Sequence, residues 1–436
     1  MEKLTARSAV VGVIGLGYVG LPLSVAFAEA DCRVVGFDID PAKPASVAAG
    51  ETYLRHIASE RIAAAVERGR LSATTDFDRL TETDAILICV PTPLSRHAEP
   101  DLSFVRETAE TIARRLRAGQ IVVLESTTYP GTTADVVRPI LEQTGLKSGA
   151  DFWLGFSPER EDPGNLDFST ATIPKVVGAD DDQARALIAT LYRIFAKEVV
   201  EVSSSATAEA VKLTENIFRA VNIALVNELK LIYGALDVDV WEVIDAAKTK
   251  PFGFMPFYPG PGLGGHCIPI DPFYLTWKAR EHNVPMRFIE LAGQINSRMP
   301  EHVIDELARA LDARTGRGLN GARILVMGLA YKKNVDDIRE SPALRLIQLL
   351  RKRGSDVDYF DPHVPEIPQT RSYGDLAGQK SIRWDCDGIA GYDAVLIATD
   401  HDAVDYRAVT EQAQLVVDTR NACRRAGAAL GKVVAA

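Results

Sequence analysis

The sequence predicts an α/β protein in which two doubly wound parallel-sheet domains are joined by a long central helix. Three observations support this fold class. Apolar runs alternate with helical patterns near the N-terminus, the same order returns near the C-terminus, and a proline-free amphipathic stretch lies between them. Alternating strands and helices are typical of a parallel sheet that is wrapped by helices. The expected domains are residues 1–204, 205–310 and 311–436.

The N-terminal domain starts with a strand, a glycine-rich turn and a helix in "AVVGVIGLGYVGLPLSVAFAEA". Further strand-like runs follow at residues 33–40 ("RVVGFDID"), 84–93 ("DAILICVPTP") and 120–127 ("QIVVLEST"). Ligands of doubly wound sheets bind beyond the carboxyl ends of the strands. The loops that follow these runs are therefore the expected place of a binding site.

The C-terminal domain repeats this order in four apolar runs. They are "RILVMGLAYK" (323–332), "DVDYFDP" (356–362), "DAVLIATD" (393–400) and "QLVVDTR" (414–420). The second copy keeps one glycine of the turn, Gly328, and lacks the rest of the pattern. We therefore expect a second Rossmann-like domain that binds something other than a dinucleotide.

The central region contains no proline and one glycine, Gly234, between residues 205 and 250. Its apolar residues recur at helical spacing, at Val211, Ile217, Val221, Leu225, Leu229 and Ile232. This pattern predicts a helix from about Ala206 to Leu236 that joins the two domains. The same helix offers a dimerisation face, and we expect a homodimer or a higher homo-oligomer.

The glycine-rich turn has the spacing of a dinucleotide-binding site, with Gly15, Gly17 and Gly20 between a strand and a helix. These glycines let backbone N–H groups approach a pyrophosphate. Asp38 ends the second strand 18 residues later, where a carboxylate binds a ribose 2′-OH and repels a 2′-phosphate. NAD is therefore favoured over NADP, while the choice between a nicotinamide and a flavin cofactor stays open. The loop "VPTP" (90–93) fits a cofactor contact and a proline-stiffened connection equally well.

Composition excludes several other classes of protein. The net charge is −10, which argues against nucleic acid or an anionic membrane surface as the main partner. No apolar run approaches the roughly 20 residues of a membrane span, and the first residues lack the order of a signal peptide. The five cysteines are widely spaced, without a CxxC pair, so we expect neither disulfides nor a metal site, and a cytoplasmic location.

Four further clusters go beyond what the fold requires. They are "ESTTYPGTT" (125–133), "FSPERE" (156–161), "VKLTEN" (211–216) and "GPGLGGHCIPIDP" (260–272). Lys212 and Asn216 are four residues apart and share one helix face. Taken alone, these two residues favour a solvated surface pair over a catalytic one.

Two other candidate residues can also be interpreted as purely structural. Glu159 could be a surface carboxylate, and Cys267 a small buried hydrophobe, which is the usual fate of a free cysteine. Glycines and His266 surround Cys267, however, and they do not form an apolar core.

Together these motifs resemble the UDP-glucose/GDP-mannose dehydrogenase family. The resemblance covers essentially the whole chain, in the order "GLGYVGLP", "STTYPGTT", "SPER", "KLTEN", "GPGLGGHCIPIDP" and "YKKNVDDIRESP". Within the family, the segment around Cys267 is most similar to the UDP-N-acetylglucosamine 6-dehydrogenase type. The resemblance implies four-electron oxidation of a C6 hydroxyl to a uronic acid by two NAD+, and a product used in surface polysaccharides.

The resemblance also implies roles for single residues. Cys267 is the nucleophile that forms a thiohemiacetal and then a thioester. Lys212 stabilises the oxyanion at C6, and Asn216 holds the same oxygen or a catalytic water. Asp271 positions water or takes protons.

Further along the same pattern, Glu159 is the general base and Thr127 orients its water. The expected cofactor contacts are Gly15, Gly17, Tyr18, Val19, Gly20, Asp38, Val90, Pro91, Thr92, Thr127 and Arg339. The expected contacts with the UDP-sugar are Glu159, Arg160, Lys212, Asn216, Phe257, Tyr258, Gly264, Tyr331 and Lys332.

The sequence departs from the family pattern at two places. Pro163 stands where UDP-glucose dehydrogenases have a second glutamate, as it does in the hexosamine branch. The arginine that many members place before the glycine loop has no clear counterpart, and Lys248, Lys250 or an aromatic residue could replace it. UDP-N-acetylmannosamine, UDP-N-acetylgalactosamine and UDP-glucose therefore stay open as substrates. A two-electron hydroxyacid dehydrogenase and a non-catalytic nucleotide-sugar-binding protein are the more distant alternatives.

Overall fold

The structure is a computed structural model, and it describes residues 1–54, 57–95, 99–160, 170–265, 268, 270–370, 372–384 and 386–436. The chain divides into two compact units. One unit is Met1–Glu215 with Phe273–Pro285, and the other is Asn216–Pro272 with Met286–Ala436.

The first unit is built on an eight-stranded sheet in the order β3-β2-β1-β4-β5-β6-β7-β8. The pairing is parallel throughout, except between β6 and β7. Its strands are β1 (Val10–Ile14), β2 (Arg33–Phe37), β3 (Leu71–Thr74), β4 (Ala85–Ile88), β5 (Ile121–Leu124), β6 (Trp153–Phe156), β7 (Lys175–Gly178) and β8 (Val199–Val202). The inner strands β4 and β5 are buried along their whole length, as expected of a sheet covered on both faces.

Helices follow most of these strands. They are α1 (Glu2–Thr5), α2 (Gly20–Glu29), α3 (Ala42–Ala48), α4 (Ser59–Glu67), α5 (Ser103–Ala113), α6 (Arg138–Leu141) and α7 (Asp182–Tyr192). Two longer elements, α8 (Ser205–Ala235) and α10 (Asp271–Glu281), each have residues in both units.

The second unit contains a five-stranded parallel sheet in the order β10-β9-β11-β12-β13. Its strands are β9 (Arg323–Met327), β10 (Asp356–Phe360), β11 (Ala394–Ile397), β12 (Val416–Asp418) and β13 (Val433–Ala435). Its further helices are α9 (Val240–Ala247), α11 (Arg287–Thr315), α12 (Pro342–Lys352), α13 (Cys386–Ile389), α14 (Tyr406–Gln412) and α15 (Ala422–Arg425). The order of β10, β9, β11 and β12 repeats that of β2, β1, β4 and β5, so the predicted fold class is confirmed.

The predicted central helix is α8, which begins one residue earlier and ends one residue earlier than expected. The chain leaves the helix through Asp237, whose φ of 56° is incompatible with continuing it. Asp239 then caps α9 by accepting from the N–H groups of Trp241 and Glu242. Among the described residues, no helix has the length and apolar character that a membrane crossing requires.

Candidate active site

The glycine turn after β1 is closed on one side and open on the other. Gly15 has a φ of +93°, and a Cβ there would lie 2.6 Å from the Cys89 carbonyl oxygen. A Cβ on Gly20 would lie 1.9 Å from the Gly15 carbonyl oxygen. At Gly17, by contrast, no atom of the described residues, apart from its chain neighbours, lies within 4 Å of a Cβ position. Tyr18 and Val19 are half-buried beside it, and the open backbone at the start of α2 fits a pyrophosphate.

Asp38 lies directly after β2 and is buried at the same turn. Its Oδ2 accepts from the N–H of Leu16 at 2.8 Å, and Lys43 Nζ lies 2.8 Å from the same oxygen. The carboxylate therefore has the place that a ribose-binding group needs. Lys43 was not predicted, although its position five residues after Asp38 could have suggested an ion pair.

Two side chains hold the loop that contains Val90, Pro91 and Thr92. Ser126 Oγ donates to the Val90 carbonyl oxygen at 2.6 Å, and the fully buried Tyr274 donates its OH to the Thr92 carbonyl oxygen at 2.7 Å. These bonds fix the loop after β4 beside the segment after β5, where Thr127 is half-buried. The predicted cofactor contacts of this unit thus lie at the carboxyl ends of neighbouring strands.

Lys212 is a buried residue of α8, with an exposed fraction of 7%. Its Nζ donates to the main-chain oxygen of Glu159 at 2.5 Å, in the segment that follows β6. The Glu159 Oε1 accepts from the N–H of Arg160 at 2.6 Å. The structure therefore brings two predicted residues together, and it contradicts the reading of Lys212 as a solvated side chain.

Arg160 has well-defined protein partners. Its Nη2 lies 2.6 Å from Glu215 Oε1, and its Nη1 donates to the Pro174 carbonyl oxygen at 2.6 Å. The guanidinium thus joins α8 to the start of β7. The predicted contact of Arg160 with substrate stays a prediction.

Asn216 lies one turn beyond Lys212 on α8 and belongs to the second unit. Its exposed fraction is 5%, and its Nδ2 donates to Oδ2 of Asp271, which is 2% exposed. Asp271 is the first residue of α10. Two predicted catalytic residues of the second unit are therefore bonded to each other.

Cys267 lies outside the described residues, as do His266 and Pro163. The segment before Cys267 is described, and its glycines allow close packing. A Cβ on Gly264 would lie 2.6 Å from Tyr331 Cβ. Gly265 has a φ of +85° and donates its N–H to the Arg339 carbonyl oxygen at 2.9 Å.

The predicted substrate residues Tyr331 and Lys332 are half-buried in this part of the second unit. The guanidinium of Arg339 forms hydrogen bonds with Asp337, the shortest at 2.7 Å. Its predicted contact with the cofactor stays a prediction.

The aromatic residues before the glycine loop contact neighbours in the second unit, although Phe252, Phe254 and Tyr258 are exposed. Tyr258 stacks on Trp241 at 5.2 Å between ring centroids and donates its OH to Asp245. Lys248 bonds the same carboxylate. Phe257 contacts Phe218, and Lys250 lies over the ring of Phe252.

The second copy of the glycine turn is bonded differently from the first. Gly328 keeps a positive φ, of 82°. Asp361, which corresponds to Asp38, accepts from the N–H groups of Leu329 and Ala330 and lies 2.9 Å from His401 Nε2. The N–H of Ala330, at the position of Gly17 in the first turn, is thus used within the protein, and no sequence pattern pointed to His401.

Glu209 is a further buried group that sequence reasoning missed. It lies on α8 and accepts from the N–H groups of Gly131 and Thr133 and from the Thr133 hydroxyl, at 2.6 to 2.9 Å. It thereby anchors the "PGTT" segment that follows Thr127. Burial outweighs these hydrogen bonds and raises the pKa of Glu209 to about 7, from an ordinary value of 4.5.

We expect Glu209→Gln to change how stability depends on pH. Since the pKa of Glu209 is higher in the folded chain than in the unfolded one, its contribution to stability is complete below pH 4.5 and is lost as the pH rises to about 7. The loss is on the order of 3 kcal/mol. Denaturant unfolding at several pH values should show a flatter profile between these limits in the variant. Glu110→Gln, an exposed change on α5, should leave the profile as it is; an identical profile for Glu209→Gln would contradict the assignment.

Comparison with known proteins places the whole chain in one family. Models of the UDP-glucose/GDP-mannose dehydrogenase family match residues 9–196 (NAD binding domain), 206–298 (central domain) and 325–425 (UDP binding domain). The UDP-N-acetyl-D-glucosamine 6-dehydrogenase of Pseudomonas aeruginosa is 36% identical over 394 residues, which are 90% of each chain.

Other relatives carry a different substrate in their names. The UDP-N-acetyl-D-mannosamine dehydrogenase of Pyrococcus horikoshii is 35% identical over 417 residues, 94% of this chain and 95% of the relative. A solved structure of a UDP-D-ManNAc dehydrogenase from Pyrococcus horikoshii has a TM-score of 0.85 at 34% identity, covering 95% of this chain and 96% of that one. The chain therefore belongs to the UDP-glucose/GDP-mannose dehydrogenase family and is an NAD-dependent nucleotide-sugar 6-dehydrogenase.

Proposed function

We propose that the enzyme oxidises the C6 hydroxyl of a UDP-N-acetylhexosamine, with UDP-N-acetylglucosamine as the preferred substrate, to the uronic acid. The observation that carries this proposal is the placement of two buried side chains one turn apart on α8. Lys212 is bonded to the main chain of Glu159, and Asn216 is bonded to Asp271. A cation and an amide at this spacing suit an oxygen atom that gains and loses negative charge.

The first oxidation converts the alcohol into an aldehyde. Bound NAD+ supplies the hydride acceptor in both oxidations. The Lys212 ammonium stabilises the C6 oxygen as its proton leaves, and Glu159 receives that proton through a water molecule.

The second oxidation is covalent. The Cys267 thiolate adds to the aldehyde carbon, forming a C–S bond and a thiohemiacetal whose oxygen Asn216 holds. Loss of the second hydride from C6 gives a thioester. An ammonium near a thiol favours the thiolate form, and we assign this effect to Lys212.

Hydrolysis completes the reaction. Glu159 takes a proton from a water oriented by Thr127, the water oxygen bonds to C6, and the C–S bond breaks so that Cys267 leaves as a thiolate. Asp271, held by Asn216, relays the proton that the product acid releases. Each catalytic turnover thus consumes one water molecule and forms two NADH.

We assign the domains as residues 1–204 for NAD, 205–310 for oligomerisation and the catalytic cysteine, and 311–436 for the UDP half of the substrate. The packing of Gly264 against Tyr331 supports a substrate loop that rests on the third of these domains. A cytoplasmic location and a product used in surface polysaccharides belong to the same proposal.

We also propose that two or more copies of the chain associate through α8. Phe218, Leu225 and Ile232 are seven residues apart, so they share one face, and each is about half exposed. Exposed apolar surface of this kind is typical of an interface. A second copy of the chain offers the same face.

Changing this face should reduce the mass of the assembly. We expect Leu225→Glu combined with Ile232→Glu to convert the protein into monomers, because two carboxylates would be buried without partners. Sedimentation equilibrium measures the mass. Leu430→Glu, at an exposed leucine off the helix, is the matched control and should keep the wild-type mass. A monomeric wild type, or an unchanged mass in the double variant, would refute this interface.

The covalent route predicts the ratio of NADH to sugar. UDP-N-acetylglucosamine should give two NADH per sugar, and should be used faster than UDP-N-acetylmannosamine, UDP-N-acetylgalactosamine or UDP-glucose. Cys267→Ser should stop acid formation and leave at most slow release of aldehyde, because no thioester can form. Absorbance at the NADH band and mass spectrometry of the sugar provide the readouts.

Each other outcome of this experiment excludes part of the proposal. Formation of one NADH per sugar excludes the covalent route. Formation of no NADH excludes catalysis and favours a protein that only binds a nucleotide sugar. Undiminished acid formation by Cys267→Ser excludes the assigned nucleophile. If another UDP-sugar is oxidised faster, that sugar is the preferred substrate instead of UDP-N-acetylglucosamine.

Asp38→Ala should weaken the preference for NAD over NADP. The change removes a charge-assisted hydrogen bond to the ribose, which is worth about tenfold or more in affinity, and leaves Lys43 free to meet a 2′-phosphate. The measurement is kcat/KM for both cofactors. Asp40→Ala, at an exposed carboxylate two residues later, is the control, and an unchanged ratio in Asp38→Ala would exclude the ribose role.

A further inference from the structure

A buried ion pair lies behind Glu159 in the first unit. Lys175, the first residue of β7, places its Nζ 2.7 Å from Glu125 Oε2, and the side chains are 5% and 0% exposed. Glu125 follows β5, and its other oxygen accepts from the hydroxyl of Tyr192 at the end of α7. Burying two charges costs several kcal/mol per ion, and a well-packed apolar pair avoids that cost. Stability alone therefore does not explain why this ion pair is buried here.

The ammonium of Lys175 also faces Glu159. Its Nζ lies 3.7 Å from Glu159 Oε2 and 3.4 Å from the carbonyl oxygen of Pro158. Glu159 thus has a cation on each side. Lys212 bonds its main-chain oxygen, and Lys175 approaches its carboxylate.

We propose that Lys175 is a positioning residue whose ammonium charge holds the Glu159 carboxylate in place, and that Glu125 and Tyr192 hold Lys175 there. The inference rests on the proposed function, in which Glu159 takes a proton from the water that attacks the thioester. In that step the water O–H bond breaks, a C–O bond forms at C6, and the C–S bond to Cys267 breaks. A base that is held in position within reach of the water can accept this proton.

The surroundings keep Lys175 charged. Burial opposes the ammonium, but the carboxylates of Glu125 and Glu159 outweigh it and raise the pKa of Lys175 above its ordinary value. Burial raises the pKa of Glu125, against the opposing effect of Lys175. Among the described residues, Glu159, Cys89 and Tyr192 act on the Lys175–Glu125 pair, and Lys212 bonds the main chain of Glu159.

Two variants should shift the pH profile in opposite directions. Lys175→Met with Glu125→Gln removes both buried charges, so no charge is left unpaired. Removing a cation 3.7 Å from a carboxylate disfavours the charged form, so the acidic limb of the kcat profile should move to higher pH. Glu125→Gln alone removes the competing carboxylate, so that Lys175 interacts more strongly with Glu159. The acidic limb of the kcat profile should then move to lower pH.

The readouts separate positioning from folding. Melting temperature reports the fold, KM for the UDP-sugar should change less than about threefold, and intact-mass spectrometry should show more thioester on Cys267 in the double variant. Lys175→Arg, which keeps the cation, should restore the wild-type limb. Lys147→Met, at a surface lysine paired with Glu142, is the control for losing a cation in this unit.

The outcomes are distinct from those that test the proposed function. Folded variants whose acidic limbs both stay in place, or shift in the same direction, would overturn the proposal. If the double variant does not fold, the direction of the shift in Glu125→Gln decides. If the wild type forms no thioester, the proposed route fails, but opposite shifts in the pH profile of NADH formation still support Lys175 acting on Glu159.

Discussion

The hydrogen bond from Lys212 to the main-chain oxygen of Glu159 is the interaction on which the candidate site depends. A buried ammonium must have an acceptor, because an unpaired charge in the interior is very costly. By using a main-chain oxygen, Lys212 fixes the segment after β6 and leaves the Glu159 side chain to other partners. The same helix turn then places Asn216, which is bonded to Asp271. One continuous helix thus sets the spacing of two predicted catalytic side chains without help from any loop.

The two glycine turns show how one topology serves two kinds of ligand. Asp38 pairs with Lys43, whose side chain is 32% exposed and can move aside for a ribose. Asp361 instead pairs with His401, and both side chains are fully buried. A ligand cannot displace His401 without opening the core of the second unit. The difference therefore lies in the exposure of the aspartate's partner and in the additional N–H, that of Ala330, which Asp361 binds.

Local sequence signals were enough for eight strands (β1, β2, β4, β5 and β9 to β12), the first glycine turn and α8, whereas β3, β6, β7, β8 and β13 were not predicted. Each of these has a periodic or short-range pattern, and α8 differs from its predicted bounds by one residue at each end. The pairing of Lys175 with Glu125 was beyond reach, because the two residues are 50 positions apart. Glu209 was missed for the same reason, since its partners lie 76 and 78 positions away. Family resemblance supplied the role of Cys267, and no helical or strand period could have done so.

The distribution of charge also explains how an acidic chain handles an anionic substrate. The net charge of −10 belongs to the chain as a whole, whereas Lys175 and Lys212 are buried at 4% and 7% exposure. Buried charges are screened by salt much less than exposed ones. In the proposed function, the field that acts on the reacting oxygen is therefore set mainly by nearby fixed groups such as Lys212 and by hydrogen-bond donors, and less by the surface charge. In this fold the burial of each lysine, together with its fixed acceptor, matters more for chemistry than the sign of the whole protein.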